Sequence, residues 1–167
     1  MKVATIVLVA GFLPMLAESA RSRRNERALR RAGAVEPPRD VYAVMQIAYP
    51  TCFLSIAVEG WTRSAGFDLI FAIGAIIFAA AKGLKYWAIA ALGPRWTFRV
   101  LVPAHLPLVT AGPYRYLRHP NYVGVAGELL GAALMAHAPV TGLLSLLGFG
   151  GLMLARVRIE ERALGVS

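Results

Sequence analysis

The chain has 167 residues, of which 57% are hydrophobic, and its mean hydropathy is +0.58. A soluble domain is nearer half apolar, and a chain this short has too little interior to bury the excess. The composition therefore excludes an ordinary soluble domain and favours a bilayer. The net charge of +9 is gathered in clusters between apolar segments, which excludes the continuous basic footprint of a nucleic-acid-binding protein. A single cysteine, Cys52, offers neither an internal disulfide nor a zinc site.

The N-terminal part contains two apolar segments with a basic segment between them. Residues 3–17 are predicted to form the first membrane helix. A secretory signal peptide is the disfavoured alternative, because more membrane segments follow in place of a polar domain. Residues 18–40 carry seven arginines, and residues 25–32 should form a helix that ends at Gly33. Residues 41–61 are predicted as the second span, in which Pro50 is tolerable.

The C-terminal part contains three more apolar segments. Residues 67–92 are predicted as the third span, and Lys82 and Lys85 on one of its faces should snorkel to the headgroups. Residues 93–121 alternate apolar side chains with polar ones around several prolines, which predicts an ordered extended segment. Residues 122–138 and 143–157 are predicted as a helical hairpin with a turn at 139–142. At ~1.5 Å per residue these two helices reach only ~22–26 Å, less than the ~30 Å hydrocarbon core.

The sequence thus predicts an all-α integral membrane protein with about five transmembrane helices. We expect one membrane domain, 1–167, in which residues 1–66 supply N-terminal helices and a basic loop and residues 67–167 form the core. Seven Lys or Arg residues fall in 18–40, four in 93–121 and three in the C-terminal extension, against Lys2 and Arg63 on the opposite side. The positive-inside rule then predicts that the basic side and the C-terminus face the cytoplasm.

The most informative motif is residues 112–122, with the sequence GPYRYLRHPNY. It places two cations, an imidazole and three tyrosines just before a predicted membrane helix, which Asn121 is expected to cap. The N–H groups and partial positive charge of a helix N-terminus would bind a carboxylate or phosphate. A juxtamembrane anchor with interfacial tyrosines is the alternative interpretation. The spacing of Pro and Gly favours a rigid backbone, which an anchor does not need.

Two further sets of charged residues are candidates for a site. Arg156 and Glu160 lie four residues apart, so they share a helix face. They form either a salt bridge at a solvated helix end or part of a polar pocket that faces His119. Glu128 lies six residues into the fourth predicted helix, where an ionisable group is a functional hypothesis by default. It is either a substrate contact or base, or a structural partner for a neighbouring helix.

Glycines and absent motifs narrow the choice of function. Gly127 and Gly131 form a small-xxx-small pattern, which indicates close packing of the fourth and fifth helices, close approach of a ligand, or both. The sequence contains no dinucleotide-binding G-x-G-x-x-G after a strand, no phosphate-binding P-loop, no H-E-x-x-H and no G-x-S-x-G. A soluble Rossmann-type methyltransferase is therefore excluded.

A family resemblance brings these motifs together. GPYRYLRHPNYVG at 112–124, a hydrophobic hairpin and then EERAL at 160–164 resemble the isoprenylcysteine carboxyl methyltransferase family over about residues 75–165. The resemblance implies a site for S-adenosylmethionine between the last two helices and their cytoplasmic flanks. Arg156 matches the arginine that holds the substrate carboxylate. The residues that match cofactor contacts are Leu106, Pro107, Leu108, Val109, Tyr114, His119, Pro120, Asn121, Tyr122 and Glu160.

The resemblance also implies the reaction. We expect methyl transfer to a lipophilic acceptor, either a protein-S-isoprenylcysteine carboxylate or the hydroxyl of an alkylpyrone or alkylresorcinol. The second acceptor is considered because residues 25–36 look similar to short bacterial members of that kind. A carboxylate needs no base, whereas a hydroxyl must lose a proton that Glu128 or His119 could accept. The alternative class is a non-catalytic membrane subunit or small transporter. Expected partners are the bilayer and a lipophilic small-molecule or prenylated substrate, without nucleic acid or metal.

Overall fold

The computed structural model describes residues 2–38, 40–102 and 108–165, with the backbone alone for residue 164. The described chain is all-α, as predicted. Two short 3-10 turns, Gly93–Arg95 and Gly112–Arg115, flank the segment between the third and fourth helices. The five α-helices, in chain order, are α1 Lys2–Arg31, α2 Tyr42–Thr62, α3 Leu69–Leu92, α4 Pro120–Met135 and α5 Pro139–Leu164.

Four helical segments in the described ranges are long and apolar enough to cross a membrane: Lys2–Arg31, Tyr42–Thr62, Leu69–Arg95 and Pro139–Ala163. The remaining helix, α4, has 16 residues and is ~24 Å long at ~1.5 Å per residue. The expected short length is thus confirmed for the fourth helix and wrong for the fifth. The α5 helix has 26 residues because it starts at Pro139 and continues through the charged C-terminal extension.

The first helix is longer than its apolar segment. No Gly or Pro interrupts residues 15–32, so the polar residues after the apolar segment continue the same helix to Arg31. Gly33 then takes a φ of +83°, a conformation that glycine adopts without strain, and the helix ends there as predicted. The extension of α1 carries Glu18, Ser22 and Asn25 toward the rest of the bundle, where each of them has a partner on another segment.

The closest helix pair is α3 with α4. A Cβ atom on Gly131 would lie 2.6 Å from the backbone nitrogen of Phe78 and 2.7 Å from the carbonyl oxygen of Gly74. Gly127 likewise faces Ala81 on α3. The prediction that these glycines pack the fourth helix against the fifth is therefore wrong, because their missing side chains bring α4 onto α3. The glycine pattern identifies a close contact but does not say which helix makes it.

We expect Gly131→Ala to destabilise the fold by about 1–3 kcal/mol, since overpacking a tight contact forces the two backbones apart. Gly150→Ala on α5 is the matched control, because a Cβ there meets no atom within 4 Å. Thermal unfolding of both variants in detergent measures the effect. If both variants unfold at the wild-type temperature, the missing side chain of Gly131 is not what allows α3 and α4 to pack so closely.

The connection between α4 and α5 is a tight turn at residues 136–138, in which His137 has a φ of +50°. The turn predicted at residues 139–142 is wrong, because Pro139 suits the first position of a helix and α5 begins there. The carboxylate of Glu59 on α2 caps α5 by accepting from the backbone N–H of Thr141 at 2.7 Å. Asp68 caps α3 in the same way, and the backbone N–H of Phe71 helps to hold its pKa below the usual value.

Within residues 93–121, which the sequence predicts to be ordered and extended, residues 96–102 lie across the basic end of the helix bundle. Ser22 Oγ accepts from the N–H of Phe98 at 2.8 Å, and Asn25 Nδ2 donates to the carbonyl of Trp96 at 2.7 Å. Val102 pairs with Val35 in an isolated antiparallel bridge. These contacts tie the segment to α1 and to the loop that follows it, so the segment can serve as one wall of a site.

Candidate functional site

A cavity of about 430 Å³ lies at the basic end of the bundle, between α1, α2, α4, α5 and the extended segment. Its deeper wall is apolar and contains Phe12, Met15, Met45 and Phe149. Six residues expected from the sequence belong to its polar wall: Tyr114, His119, Asn121, Tyr122, Arg156 and Glu160. The structure thus brings the 112–122 motif and the end of α5 together around one space.

A hydrogen-bonded chain links α4 to α5 in this wall. The Tyr122 hydroxyl donates to Glu160 Oε2 at 2.9 Å, and Arg156 Nε donates to the same hydroxyl oxygen at 2.8 Å. Arg156 and Glu160 lie one helical turn apart on α5, so both can reach Tyr122 from one face. The hydroxyl therefore connects a cation to a carboxylate and orients both toward the cavity.

The guanidinium of Arg156 is also fixed from the opposite side. Its Nη1 donates to Asp40 Oδ1 at 3.2 Å, and its Nη2 donates to the carbonyl oxygen of Phe98. Asp40 Oδ2 accepts in turn from the N–H of Val100 at 3.2 Å. Among the described residues, the ion-pair partner of Arg156 is this aspartate and not Glu160. The salt bridge between Arg156 and Glu160 that the spacing allowed is therefore replaced by a larger network, in which Arg156 is 6% exposed.

The start of α4 differs from its prediction. The helix begins at Pro120, and His119 occupies the cap position, so the expectation that Asn121 caps it is wrong. Pro120 suits the first helical position because it has no N–H to satisfy. Asn121 instead lines the cavity, and its buried Oδ1 atom has no hydrogen-bond partner among the described residues. A buried polar atom without a partner is costly, and here it marks a place where a ligand can donate a hydrogen bond.

Two acidic residues at the end of α5 face the motif. His119 Nε2 lies 3.2 Å from Glu161 Oε1, and His119 Nδ1 lies 3.8 Å from Glu160 Oε2. The ring of His119 also lies 5.6 Å from that of Tyr122. The imidazole therefore has carboxylates on both sides and borders the cavity, an arrangement that can hold a proton or orient a ligand.

Tyr114 completes the polar wall from the 3-10 turn before α4. Burial, helped by the negative charge of Glu160, raises the pKa of its hydroxyl well above the usual value. It therefore remains a protonated phenol, able to donate a hydrogen bond, at any physiological pH.

Three of the other expected cofactor contacts are not among the wall residues. Leu108, which is exposed, and Val109 are not part of the cavity wall. Pro120 is buried at the start of α4. Leu106 and Pro107 lie outside the described residues.

Glu128 lies in an ion cluster in the interior of the bundle. Its Oε2 is 3.0 Å from Lys82 Nζ, its Oε1 is 3.4 Å from Lys85 Nζ, and it accepts a hydrogen bond from the Tyr49 hydroxyl. The prediction that both lysines snorkel to the headgroups is wrong, because they are 9% and 2% exposed and face carboxylates on neighbouring helices. Glu128 is not part of the cavity wall, but its partners Tyr49 and Lys85 are.

Several wall residues were not anticipated from the sequence. Arg99 in the extended segment lies 4.6 Å from the ring of Tyr42 and donates to Glu36 at 2.7 Å, which raises the pKa of Arg99. Asp40, just outside the wall, is one more charge of the basic loop, and the sequence does not single it out. Its position immediately before an apolar span is the one local signal that could have singled it out.

These observations define a multi-pass membrane protein with a cavity that has a polar wall at the basic end of the bundle and a mostly apolar deeper wall. The chain belongs to the isoprenylcysteine carboxyl methyltransferase (ICMT) family, which it matches over residues 72–166. It is thereby assigned to the membrane methyltransferases. The matched region contains α4, α5, the extended segment and nearly all of α3, and so includes the six wall residues that were expected from the sequence.

Two bacterial relatives match nearly the whole chain. The uncharacterized protein YpbQ of Bacillus subtilis is 31% identical over 148 residues, which cover 89% of this chain and 88% of the relative. An uncharacterized protein of Haemophilus influenzae is 26% identical over 144 residues, covering 86% and 84%. No solved structure matches the chain significantly. The matches to these relatives therefore extend beyond the family match into the N-terminal part of the chain.

Proposed function

We propose that this protein is an S-adenosylmethionine-dependent O-methyltransferase that acts on a lipophilic acceptor within the membrane. The observation that carries the proposal is the hydrogen-bonded chain of Arg156, Tyr122 and Glu160. This chain lines a cavity whose deeper wall is mostly apolar, in a member of a methyltransferase family. A polar cofactor and an apolar acceptor can therefore meet in one enclosed space.

The polar wall fits the chemistry of S-adenosylmethionine. Glu160 can accept from the cationic amino group or a ribose hydroxyl, and the unpaired Oδ1 of Asn121 can accept from a further donor. His119 and the phenol of Tyr114 complete this end of the cavity. Its volume lies within the ~300–1,000 Å³ typical of small-molecule sites. We also assign residues 106–109 to the cofactor on the family resemblance; they follow the extended segment closely in the sequence.

Arg156 has the role of orienting the acceptor oxygen. When bound, S-adenosylmethionine supplies a methyl group that forms a bond to the acceptor oxygen as its bond to sulfur breaks. The network of Asp40 and the Phe98 carbonyl holds the guanidinium in one orientation, so it can position an anionic oxygen without reorganising. The apolar wall excludes water from the same space.

The need for a base depends on the acceptor. A carboxylate is already anionic, whereas a phenolic or enolic hydroxyl must lose its proton. We assign the proton-accepting role to His119, which faces the cavity and is flanked by Glu160 and Glu161. Glu128, the other candidate, does not face the cavity and would act only through Tyr49, which donates to it.

The acceptor tail is proposed to enter from the lipid between α1 and α2. Leu16 on α1 and Gln46 on α2 both line the cavity and are exposed on the outer surface of the bundle. The positive-inside rule would place the polar end of the cavity in the cytoplasm, where a soluble cofactor is available. The acceptor is either a prenylated cysteine carboxylate, as the family name indicates, or the hydroxyl of a polyketide lipid of the alkylpyrone or alkylresorcinol type.

Binding of S-adenosylhomocysteine to the detergent-purified protein, measured by calorimetry, tests the cofactor site. We expect saturable binding by the wild type and a loss of affinity of at least about tenfold in His119→Ala and in Glu160→Ala, since each removes a hydrogen-bonding partner from the cofactor end of the cavity.

Arg162→Ala is the matched control, because Arg162 is exposed on the same helix and lies outside the cavity wall. It should bind as the wild type does. A folded wild type that fails to bind would overturn the proposal and favour a non-catalytic membrane subunit or small transporter.

A further inference from the structure

Four charged side chains from three helices meet in the interior of the bundle and form what we call the ion cluster: Glu18, Lys82, Lys85 and Glu128. Glu18 Oε2 lies 2.7 Å from Lys85 Nζ, and Glu18 Oε1 lies 3.2 Å from Lys82 Nζ. Glu128 contacts both lysines from α4. The side chains of the two carboxylates are 3% and 0% exposed. The ion cluster has no net charge, and it joins α1 to the α3–α4 pair.

Stability alone does not explain such a cluster. Charged groups within membrane helices are expensive and face the protein interior when they occur. Buried ion pairs can often be replaced by apolar side chains at no cost in stability. The bundle has abundant apolar packing around the ion cluster, in Phe53, Phe78 and Leu129. The role of the ion cluster is therefore indicated by the position of its charges relative to the cavity.

Lys85 is the one member of the ion cluster that belongs to the described cavity wall. The neighbouring wall residue is Tyr49, whose ring centroid lies 5.4 Å from Lys85 Nζ. An ammonium group has three N–H donors, and the partners of Lys85 among the described residues are two carboxylates at ion-pair distance, those of Glu18 and Glu128. A third donor is then available to a ligand in the cavity.

This ammonium lies at the inner end of the cavity, away from the cofactor contacts. Phe149, which packs on Tyr49 with ring centroids 5.1 Å apart, precedes Arg156 by seven residues on α5. The two levels are thus separated by ~10 Å along the helix axis. The wall between them is largely apolar and includes Val125, Met45 and Phe12. An alkyl tail makes no use of an ammonium group, whereas an oxygen atom of a headgroup does.

We propose that Lys85 binds a second oxygen atom of the acceptor headgroup, in addition to the oxygen that Arg156 orients for methylation. This inference rests on the proposed methyltransferase function and makes it more specific. Glu18 and Glu128 are positioning residues that hold the ammonium of Lys85 at the cavity wall. The preferred acceptor is a lipid with two oxygen functions on its headgroup, and a lipid with a single oxygen is a poor substrate.

The test compares two acceptors that carry the same long alkyl tail, a resorcinol with two ring hydroxyls and a phenol with one. Methyl transfer from S-adenosylmethionine is measured with the full-length protein in lipid nanodiscs. We expect the wild type to favour the resorcinol by about 10- to 100-fold in kcat/KM, the range expected for one hydrogen bond to a charged group. The double variant Lys85→Met/Glu18→Gln, which removes one charge of each sign, should lose this preference.

The matched control is Lys82→Met/Glu18→Gln. It removes the same charges from the ion cluster, but Lys82 does not line the cavity and Lys85 keeps its contact with Glu128, so most of the preference for the resorcinol should remain. Lys85→Arg, which retains a cationic donor, should keep part of the preference for the resorcinol. All three variants should bind S-adenosylhomocysteine with wild-type affinity, because the cofactor contacts lie at the other end of the cavity.

Equal use of both acceptors by the wild type overturns the inference and leaves the methyltransferase proposal standing. The same conclusion follows if both double variants change the preference equally, because the ion cluster would then act only as a structural element. A wild type that binds S-adenosylhomocysteine but methylates neither acceptor also overturns the inference. Failure to bind S-adenosylhomocysteine is the separate result that overturns the proposed function.

Discussion

Replacing Arg156 by lysine is expected to lower kcat/KM for methyl transfer by about 100-fold, the effect typical of losing a preorganised donor in an active site. The three nitrogen atoms of the guanidinium donate hydrogen bonds to three different oxygen atoms, those of Tyr122, Asp40 and the Phe98 carbonyl. A lysine keeps the charge but has one flexible nitrogen and cannot reproduce this planar arrangement. The acceptor oxygen would then be attracted without being oriented. Initial rates with S-adenosylmethionine over a range of lipid acceptor concentrations in nanodiscs measure the change.

Arg158→Lys is the matched control, because Arg158 is exposed on the same helix two residues further along. It should retain wild-type activity. Lysine is preferred to alanine at Arg156, because alanine would leave the buried carboxylate of Asp40 without its ion pair and so perturb folding. Wild-type activity in Arg156→Lys would show that Arg156 holds the fold together without orienting the acceptor.

Replacing Glu128 by leucine should lower the free energy of unfolding by about 3–5 kcal/mol, the cost of breaking a buried ion pair from one side. The substitution leaves Lys82 and Lys85 with Glu18 as their remaining carboxylate partner in the ion cluster, and it removes the acceptor of the Tyr49 hydroxyl. Two ammonium groups that share one carboxylate in the bundle interior repel each other. Thermal unfolding in detergent, followed by circular dichroism, measures the effect.

The double variant Glu128→Leu/Lys82→Met should recover most of this loss, because it restores charge balance and replaces one ion pair by apolar groups of similar size. Leu130→Ala, on the exposed side of the same helix, should unfold close to the wild-type temperature. A double variant less stable than Glu128→Leu would contradict this account, since the two losses would then be independent of each other.

The helices were predictable from local properties of the sequence. Hydropathy located the apolar segments. The α1 helix ends at Gly33, as the conformational freedom of glycine predicts. The errors concerned boundaries. The α1 helix extends through its arginine-rich part because Arg, Glu and Ala favour helices irrespective of hydropathy, and α5 includes Pro139 because proline suits a first helical turn.

The candidate site was predictable where its residues lie within one motif or one helix face. The block from Tyr114 to Tyr122 and the pair of Arg156 with Glu160 all reach the same cavity. Asp40 and Lys85 were not recognised as parts of the site. Each is an isolated charge beside or within an apolar segment, and insertion into the membrane already accounts for the composition of that segment. The partner of each charge lies on another segment, far away in the sequence.

The sequence by itself determined the membrane class, the family, the order of the helices and the motif that borders the cavity, because these depend on composition and on neighbours within a few residues. Tertiary structure alone decided which helix the glycines of α4 contact. It also decided that Lys82 and Lys85 face carboxylates rather than headgroups, and that Asp40 and the Phe98 carbonyl hold Arg156. These contacts join residues 43 to 116 positions apart in the sequence, or helix faces of equal apolarity. No local pattern encodes which of several neighbours a side chain will meet.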